Sequence, residues 1–402
     1  MIGKRGLSSL LLLGALNACN LVTSGVNVEP VAVSTQKPGN VALYVSVSKH
    51  GNGVLGLQKA DFKVYENGAA LDNEQIKLTL LSTDASTSRH ATVLVDMSKS
   101  LKREERKSLA DALRPFIARL RQREPVSLYA FDGAEKAHLV QEYAQQDTRS
   151  EADEKDASME RLLGYSRKDS QTSLYSAVMD GAEQLSASLA TTDRPIENGT
   201  LIVVALNPDG AGRVEAGKLR DFIDESPHHI FLLTVGTAAS SADIDFIGKT
   251  GGTRAGSPMT MSAPLNDVAN AVDDVLFRNY LVSYCSPAGS GKRDMKLEVT
   301  SRDAQGKATV GSYSTVFDAE GFGPGCDPGA APQFVVAKRQ APTATKAVAS
   351  NSKPEIRKSK PSAAPHEARE KVSAASAPAA EAPSSAKAQP AIAEPPSGLG
   401  YE

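Results

Sequence analysis

At residues 91–95 the chain reads Ala91-Thr92-Val93-Leu94-Val95, apolar or β-branched throughout, and then turns polar at Asp96-Met97-Ser98-Lys99-Ser100. Such a run predicts a buried strand ended by an acid and two hydroxyls at alternate positions. Helical spacing follows from Leu101 to Arg123, where Leu109, Leu113, Phe116, Ile117 and Leu120 share one face and Lys102 to Lys107 form the solvated side. Further apolar runs at Pro125 to Phe131, Leu201 to Leu206 and Ile230 to Val235 predict buried strands, with an edge strand at Ala137 to Tyr143. Helices are predicted at Met159 to Leu163, Leu174 to Leu189, Val214 to Ile223, Ser241 to Gly248 (short) and Leu265 to Leu276. Strands alternating with helices imply an α/β, doubly wound, mostly parallel, Rossmann-like sheet.

The flanks have another texture. Val41 to Ser48 alternates, Phe62 to Tyr65 runs into the hairpin signal Asn67-Gly68, and Ile76 to Leu80 alternates again. After the body, Asn279 to Tyr284, Met295 to Thr300 and Thr309 to Phe317 are predicted strands. These pieces suit one β-sandwich-like module with the α/β body inserted into it. The expected divisions are a leader at 1–18, a flexible tether at 19–39, a β module at 40–88, the α/β domain at 89–278, completing strands at 279–328 and a tail at 329–402. The tail is Ala, Pro, Ser and Lys with almost no aromatics, and is predicted to be disordered.

Composition changes the picture little. Over 402 residues a net charge of −2 gives no reason to expect nucleic acid as a partner. The leader matters more. Lys4 and Arg5 precede an apolar run, Leu7 to Leu16, too short to span a bilayer, and Leu16-Asn17-Ala18-Cys19 follows. That ending resembles the bacterial lipoprotein box, which implies lipidation of Cys19. Asn20 after the cysteine implies, by the same resemblance, the outer membrane rather than the inner one. With Cys19 so assigned, Cys285 and Cys326 remain as an even pair in an oxidising compartment, and a disulfide between them is expected.

The candidate chemistry sits on three loops. Asp96, Ser98 and Ser100 close the first buried strand, Thr172 opens a helix, and Asp209 follows the strand ending at Leu206. In a doubly wound sheet the carboxyl ends of the strands flanking the switch point lie side by side, so Asp96 and Asp209 should meet there, with Thr172 reaching in from the third side. Two carboxylates and three hydroxyls suit a hard divalent ion. Taken singly, each residue also reads as a helix N-cap or a turn residue. Pro208 restricts Asn207 beside Asp209, and could displace that carboxylate. His228-His229 lacks any metal-ligand spacing and is expected to be solvated loop, and Gly251-Gly252 lacks the Lys and hydroxyl of a phosphate loop.

Together, Asp96-x-Ser98-x-Ser100, Thr172-Ser173-Leu174-Tyr175-Ser176-Ala177 and Pro208-Asp209-Gly210 resemble the three site loops of von Willebrand factor A domains in order and spacing. The stretch from Leu57 to Gly68 also resembles a segment found ahead of such domains in bacterial envelope proteins. The resemblance implies a metal-ion-dependent adhesion site holding Mg²⁺, or Mn²⁺ or Ca²⁺, and a protein ligand whose acidic side chain completes the ion's shell. Where that family has Leu-Thr-Asp-Gly, this chain has Leu206-Asn207-Pro208-Asp209-Gly210. The expectation is therefore a lipid-anchored envelope protein that binds a protein partner and is not an enzyme. The alternatives are a metal-independent scaffold, in which Asp96 and its neighbours only cap helices, and an unrecognised hydrolase.

Overall fold

The computed structural model describes residues 25–146 and 157–334; the leader with Cys19, and the expected tail beyond 334, lie outside the described residues. In chain order the first elements are β1 (Val26–Gln36), β2 (Asn40–Lys49), β3 (Asn52–Gly53), β4 (Phe62–Glu66), β5 (Ala69–Ala70) and β6 (Thr79–Leu81). The α/β body comprises β7 (Thr87–Asp96), α1 (Arg103–Arg121), β8 (Val126–Phe131), β9 (His138–Tyr143), α2 (Ser158–Leu163), α3 (Leu174–Leu189), β10 (Ile196–Ala205), α4 (Ala216–Glu225), β11 (His229–Val235), β12 (Gly251–Ala255) and α5 (Ser262–Phe277). The chain closes with β13 (Asn279–Cys285), β14 (Lys292–Arg302) and β15 (Ala308–Asp318).

The body is built on one sheet in the order β12-β11-β10-β7-β8-β9, parallel except for β9. β7 is central and buried on both faces because its alternate residues feed two cores. Val93 and Val95 pack with Leu109, Leu113 and Phe116 of α1 and Val268 and Val272 of α5. Leu94, on the opposite face, packs with Val178 and Leu185 of α3 and Leu219 of α4. Gly181 lets α3 lie against the sheet, since a Cβ there would stand 2.7 Å from Leu94 Cδ1. The chain passes from β7 to β8 on one side and reaches β10 on the other, so the switch point falls between β7 and β10.

Two antiparallel sheets flank the body, β1-β2-β13-β6 with β3 paired to β2, and β15-β14-β4-β5. Their apolar faces share one core, in which Leu43, Val45, Phe62, Val64, Val282, Tyr284, Leu297 and Val299 are all buried. The body enters after β6 and leaves before β13, so it is inserted into the β module. Asn67 and Gly68 both take positive φ, 47° and 80°, in the hairpin between β4 and β5, as the Asn-Gly pair predicted. Cys285 and Cys326 are joined by a disulfide across a sequence separation of 41, with Cα atoms 5.8 Å apart.

Several expectations change. The segment expected as a tether holds β1, which pairs with β2 along its length; Val26 and Val28 are buried and alternate with exposed polar residues. Gly311 of β15 approaches Val26 so closely that a Cβ would meet the Val26 carbonyl oxygen at 2.0 Å. The expected strand at Ile76 to Leu80 shortens to Thr79–Leu81, while Ile76 and Leu78 bury their side chains from a turn. The short helix near Ser241 is a 3₁₀ segment, Ala242–Ile247. β12 was not predicted, because Gly251, Gly252, Thr253 and Arg254 form a glycine-rich edge with little apolar signal. The start of the expected tail is docked: Phe334 is buried among Tyr44, Ile196 and Leu281, and Ser34 Oγ donates to the Gln333 carbonyl at 2.7 Å. His228 is buried rather than solvated, with its Nε2 2.7 Å from Ser186 Oγ. Among the described residues no helix is long and apolar enough to cross a membrane.

Candidate functional site

Asp96 ends β7 at the switch point and is fully buried. Its Oδ1 accepts from the Ser98 backbone N–H at 2.9 Å and from Ser98 Oγ at 2.6 Å. Its Oδ2 accepts from the backbone N–H groups of Leu206 and Asn207 at 3.1 and 3.0 Å, just beyond the end of the neighbouring strand β10. One carboxylate thus ties the ends of two parallel strands together. Burial raises its pKa, opposed by the hydrogen bonds from Ser98, Leu206 and Asn207.

Thr172 arrives from the loop before α3, and its Oγ1 lies 2.5 Å from Ser98 Oγ. Because the Ser98 hydroxyl proton is directed to Asp96, Thr172 is the donor of that bond. The Thr172 carbonyl in turn accepts from the backbone of Gly210 and Ala211 at 2.8 and 2.9 Å, which joins the second loop to the third. Three of the expected site residues, Asp96, Ser98 and Thr172, are therefore brought together in one buried cluster.

The other two are placed differently. Ser100 is exposed and faces a shallow cavity beside the cluster. Asp209 is half-buried: its Oδ1 accepts from the Tyr175 N–H in the first turn of α3, and its Oδ2 from the Gly212 N–H, each at 3.1 Å. The side chain that reaches the cluster from the third loop is Asn207. Its Nδ2 lies 3.1 Å from Ser98 Oγ and 3.4 Å from Asp96 Oδ2. Pro208, which separates Asn207 from Asp209, was the available sign that the carboxylate could be displaced.

Sequence reasoning also missed Asp132, the buried acid immediately after β8. Its Oδ1 accepts from the Ala134 N–H at 2.7 Å, and its Oδ2 from Lys168 N–H at 2.5 Å and Tyr165 Oη at 3.2 Å. Burial alone would raise its pKa, but these hydrogen bonds outweigh it and hold the carboxyl below its ordinary value. Asp132 shapes the loop leading to Thr172, and its carbonyl accepts from the Ser173 N–H at 2.9 Å. The signal for it was an acid closing a buried strand, as at Asp96.

A cavity of about 250 Å³ opens next to the cluster, lined by Lys99, Ser100, Arg106, Tyr165 and Arg167 among others, and among the described residues no carboxylate lines it. Arg167 Nη1 donates to the Ser98 carbonyl at 2.9 Å, and Arg106 Nε to that of Leu101 at 3.1 Å. The guanidinium groups are thus held by backbone oxygens, with positive charge gathered at the mouth.

The divalent ion implied by the resemblance asks for open oxygen ligands, one or two of them carboxylates. Here Asp96 is the one carboxylate of the cluster, and five hydrogen bonds already reach its two oxygens. Ser98 Oγ is engaged by Asp96, Thr172 and Asn207 together. The cluster as arranged does not fit the expected five-ligand ion site.

No family model matches the chain, and no curated protein matches it. Its structure is similar to a von Willebrand factor type A protein from Catenulispora acidiphila, 11% identical over 72% of each chain with a TM-score of 0.36. It is also similar to manganese-loaded TRAP protein of Plasmodium vivax, 10% identical over 65% of this chain and 99% of that one with a TM-score of 0.33. A pilus adhesin from Lactobacillus rhamnosus GG is 10% identical over 77% of this chain and 57% of that one, with a TM-score of 0.34. Those overlaps are partial. The α/β body is thus a doubly wound, mostly parallel sheet with Asp96, Ser98 and Thr172 meeting at its switch point, similar to von Willebrand factor A structures.

Proposed function

We propose that this chain is a lipid-anchored envelope protein that docks a protein partner on the loop face of its A-type domain, and that it is a binding protein rather than an enzyme. The observation that carries the reading is the cationic cavity beside Asp96 and Ser98, where Lys99, Arg106 and Arg167 meet with no lining carboxylate among the described residues. An acidic side chain of the partner fits that mouth by charge. Guanidinium groups already held by backbone carbonyls lose little freedom on pairing with it. Mg²⁺, Mn²⁺ and Ca²⁺ have no part in this reading, because the oxygens of Asp96 and Ser98 are occupied. Anchoring rests on the resemblance of Leu16-Asn17-Ala18-Cys19 to the lipoprotein box, with the outer membrane as the destination.

The test is affinity capture from envelope extract, followed by titration of the captured partner against wild type and the Lys99→Glu/Arg106→Glu double variant. Both residues are exposed, so the variant is expected to keep its circular dichroism spectrum while binding at least about ten-fold more weakly. Equal affinity in the folded variant would overturn the assignment of this face. Mass spectrometry of the mature N-terminus tests the anchor, and an unmodified Cys19 would remove it.

A further inference from the structure

The A-type loops bring a neutral amide, not a second carboxylate, to the oxygens of the central cluster. Asn207 Nδ2 lies 3.1 Å from Ser98 Oγ and 3.4 Å from Asp96 Oδ2. On the other side of the same amide, Thr237 Oγ1 lies 3.1 Å from Oδ1 and 2.8 Å from the Leu206 carbonyl, which takes its single proton. The Asp96 carboxylate fixes the amide's orientation. Rotating it by half a turn would set its oxygen against the Asp96 carboxylate oxygen, acceptor facing acceptor, so the nitrogen belongs toward Asp96.

We propose that Asn207 is a built-in substitute for a divalent cation. Its N–H groups deliver positive partial charge to Asp96 Oδ2 and Ser98 Oγ, oxygens of two of the expected ion ligands, and so hold the Asp96–Ser98–Thr172 cluster assembled without an ion. An ion and the amide nitrogen would compete for these oxygens. Residue 207 therefore decides whether these loops depend on metal: Asn207 makes them independent, and a carboxylate there makes them dependent. The consequence is a loop face preformed in the presence of chelators and indifferent to divalent-ion concentration. The proposal concerns the face to which partner docking is assigned, but it stands or falls without any partner.

Physical grounds favour a closed cluster over an open one. A buried carboxylate is tolerated when donors satisfy it, and five hydrogen bonds reach Asp96 from Ser98, Leu206 and Asn207. Replacing Asn207 with Asp removes one donor and adds a like charge beside Asp96, which only a cation or an extra proton relieves.

The experiment is thermal unfolding of the full chain in chelator and in millimolar Mn²⁺, with free Mn²⁺ followed by electron paramagnetic resonance. Wild type should unfold at the same temperature in both and leave the free-ion signal unchanged. Asn207→Asp should unfold about 5 °C or more lower in chelator, recover in Mn²⁺ and deplete the free-ion signal. Adding Ser98→Ala should abolish that depletion. Should Asn207→Asp not accumulate as folded protein, Asn207→Ser serves instead, since it removes the amide donor and leaves a hard oxygen ligand. Mn²⁺ binding by wild type that disappears on Ser98→Ala would overturn the proposal. Indifference to Mn²⁺ in the folded residue-207 variants would overturn it equally.

Discussion

Ser98 Oγ and Thr172 Oγ1 stand 2.5 Å apart although 74 positions separate them in the chain. The contact joins the loop after β7 to the loop before α3. Through the Thr172 carbonyl, which accepts from Gly210 and Ala211, it is continued to the loop after β10. Three connections that are independent in sequence thus share one hydrogen-bonded centre, with Asp96 at its base.

Asp96→Ala should be strongly destabilising. It leaves the N–H groups of Ser98, Leu206 and Asn207 without their acceptor at a buried point. Each such orphan costs about 1–3 kcal/mol, so a loss of roughly 3–5 kcal/mol is expected from urea unfolding. A loss under about 1 kcal/mol would mean that the carboxylate does not organise these loops.

Gly311→Ala tests whether β1 belongs to the sandwich. A Cβ at residue 311 would stand 2.0 Å from the Val26 carbonyl oxygen, which is backbone and cannot turn aside. β1 must move off β15, and a cost of about 2 kcal/mol or more is expected. Amide exchange in β1 should rise in the variant; unchanged protection would contradict the close approach.

The Cys285–Cys326 bridge closes a loop of sequence separation 41. In the chain-entropy account its removal should cost about 3–4 kcal/mol. Denaturant titration of the Cys285→Ser/Cys326→Ser variant, compared with wild type under non-reducing conditions, measures this directly. Equal midpoints would show that the last strand and the segment around Phe322 need no staple.

Glu124 gives the fold a dependence on pH. Complete burial pushes its pKa up to about 8, against the pull of Arg89. A carboxyl whose folded pKa is raised contributes stability that is whole below its ordinary 4.5 and is lost as pH rises through about 8. Glu124→Gln, an uncharged near-isostere, lacks that loss. Its stability relative to wild type should rise by on the order of 4 kcal/mol between about pH 4 and pH 8. His229 works in the opposite direction. Burial first, then Arg278, His228 and Lys249, lower its pKa to about 4, so its contribution is whole above 6.5 and is lost as pH falls through about 4. A difference between Glu124→Gln and wild type that does not change with pH would remove Glu124 from this account.

The chain's own pattern was sufficient for the architecture. Continuous apolar runs at 91–95, 201–206 and 230–235 can be buried only as central parallel strands, and the period of Leu109, Leu113, Phe116 and Leu120 admits only a helix lying on them. The same local reasoning found Asp96, Ser98 and Thr172, since strand ends and helix starts are written in neighbouring residues. It failed where the signal was weak or shared. β12 is an edge with glycines, β1 alternates too gently to stand apart from a tether, and Phe334 is a single aromatic at the head of a low-complexity tail. The choice between Asp209 and Asn207 lay beyond any local rule. Both follow the same strand, and chemistry alone favours the carboxylate as a ligand. Only the tertiary structure decides it: the Asp96 carboxylate captures the Leu206 and Asn207 backbone N–H groups, which aims Asn207 at Ser98, while the Asp209 carboxylate is taken up by the backbone N–H groups of Tyr175 at the start of α3 and of Gly212.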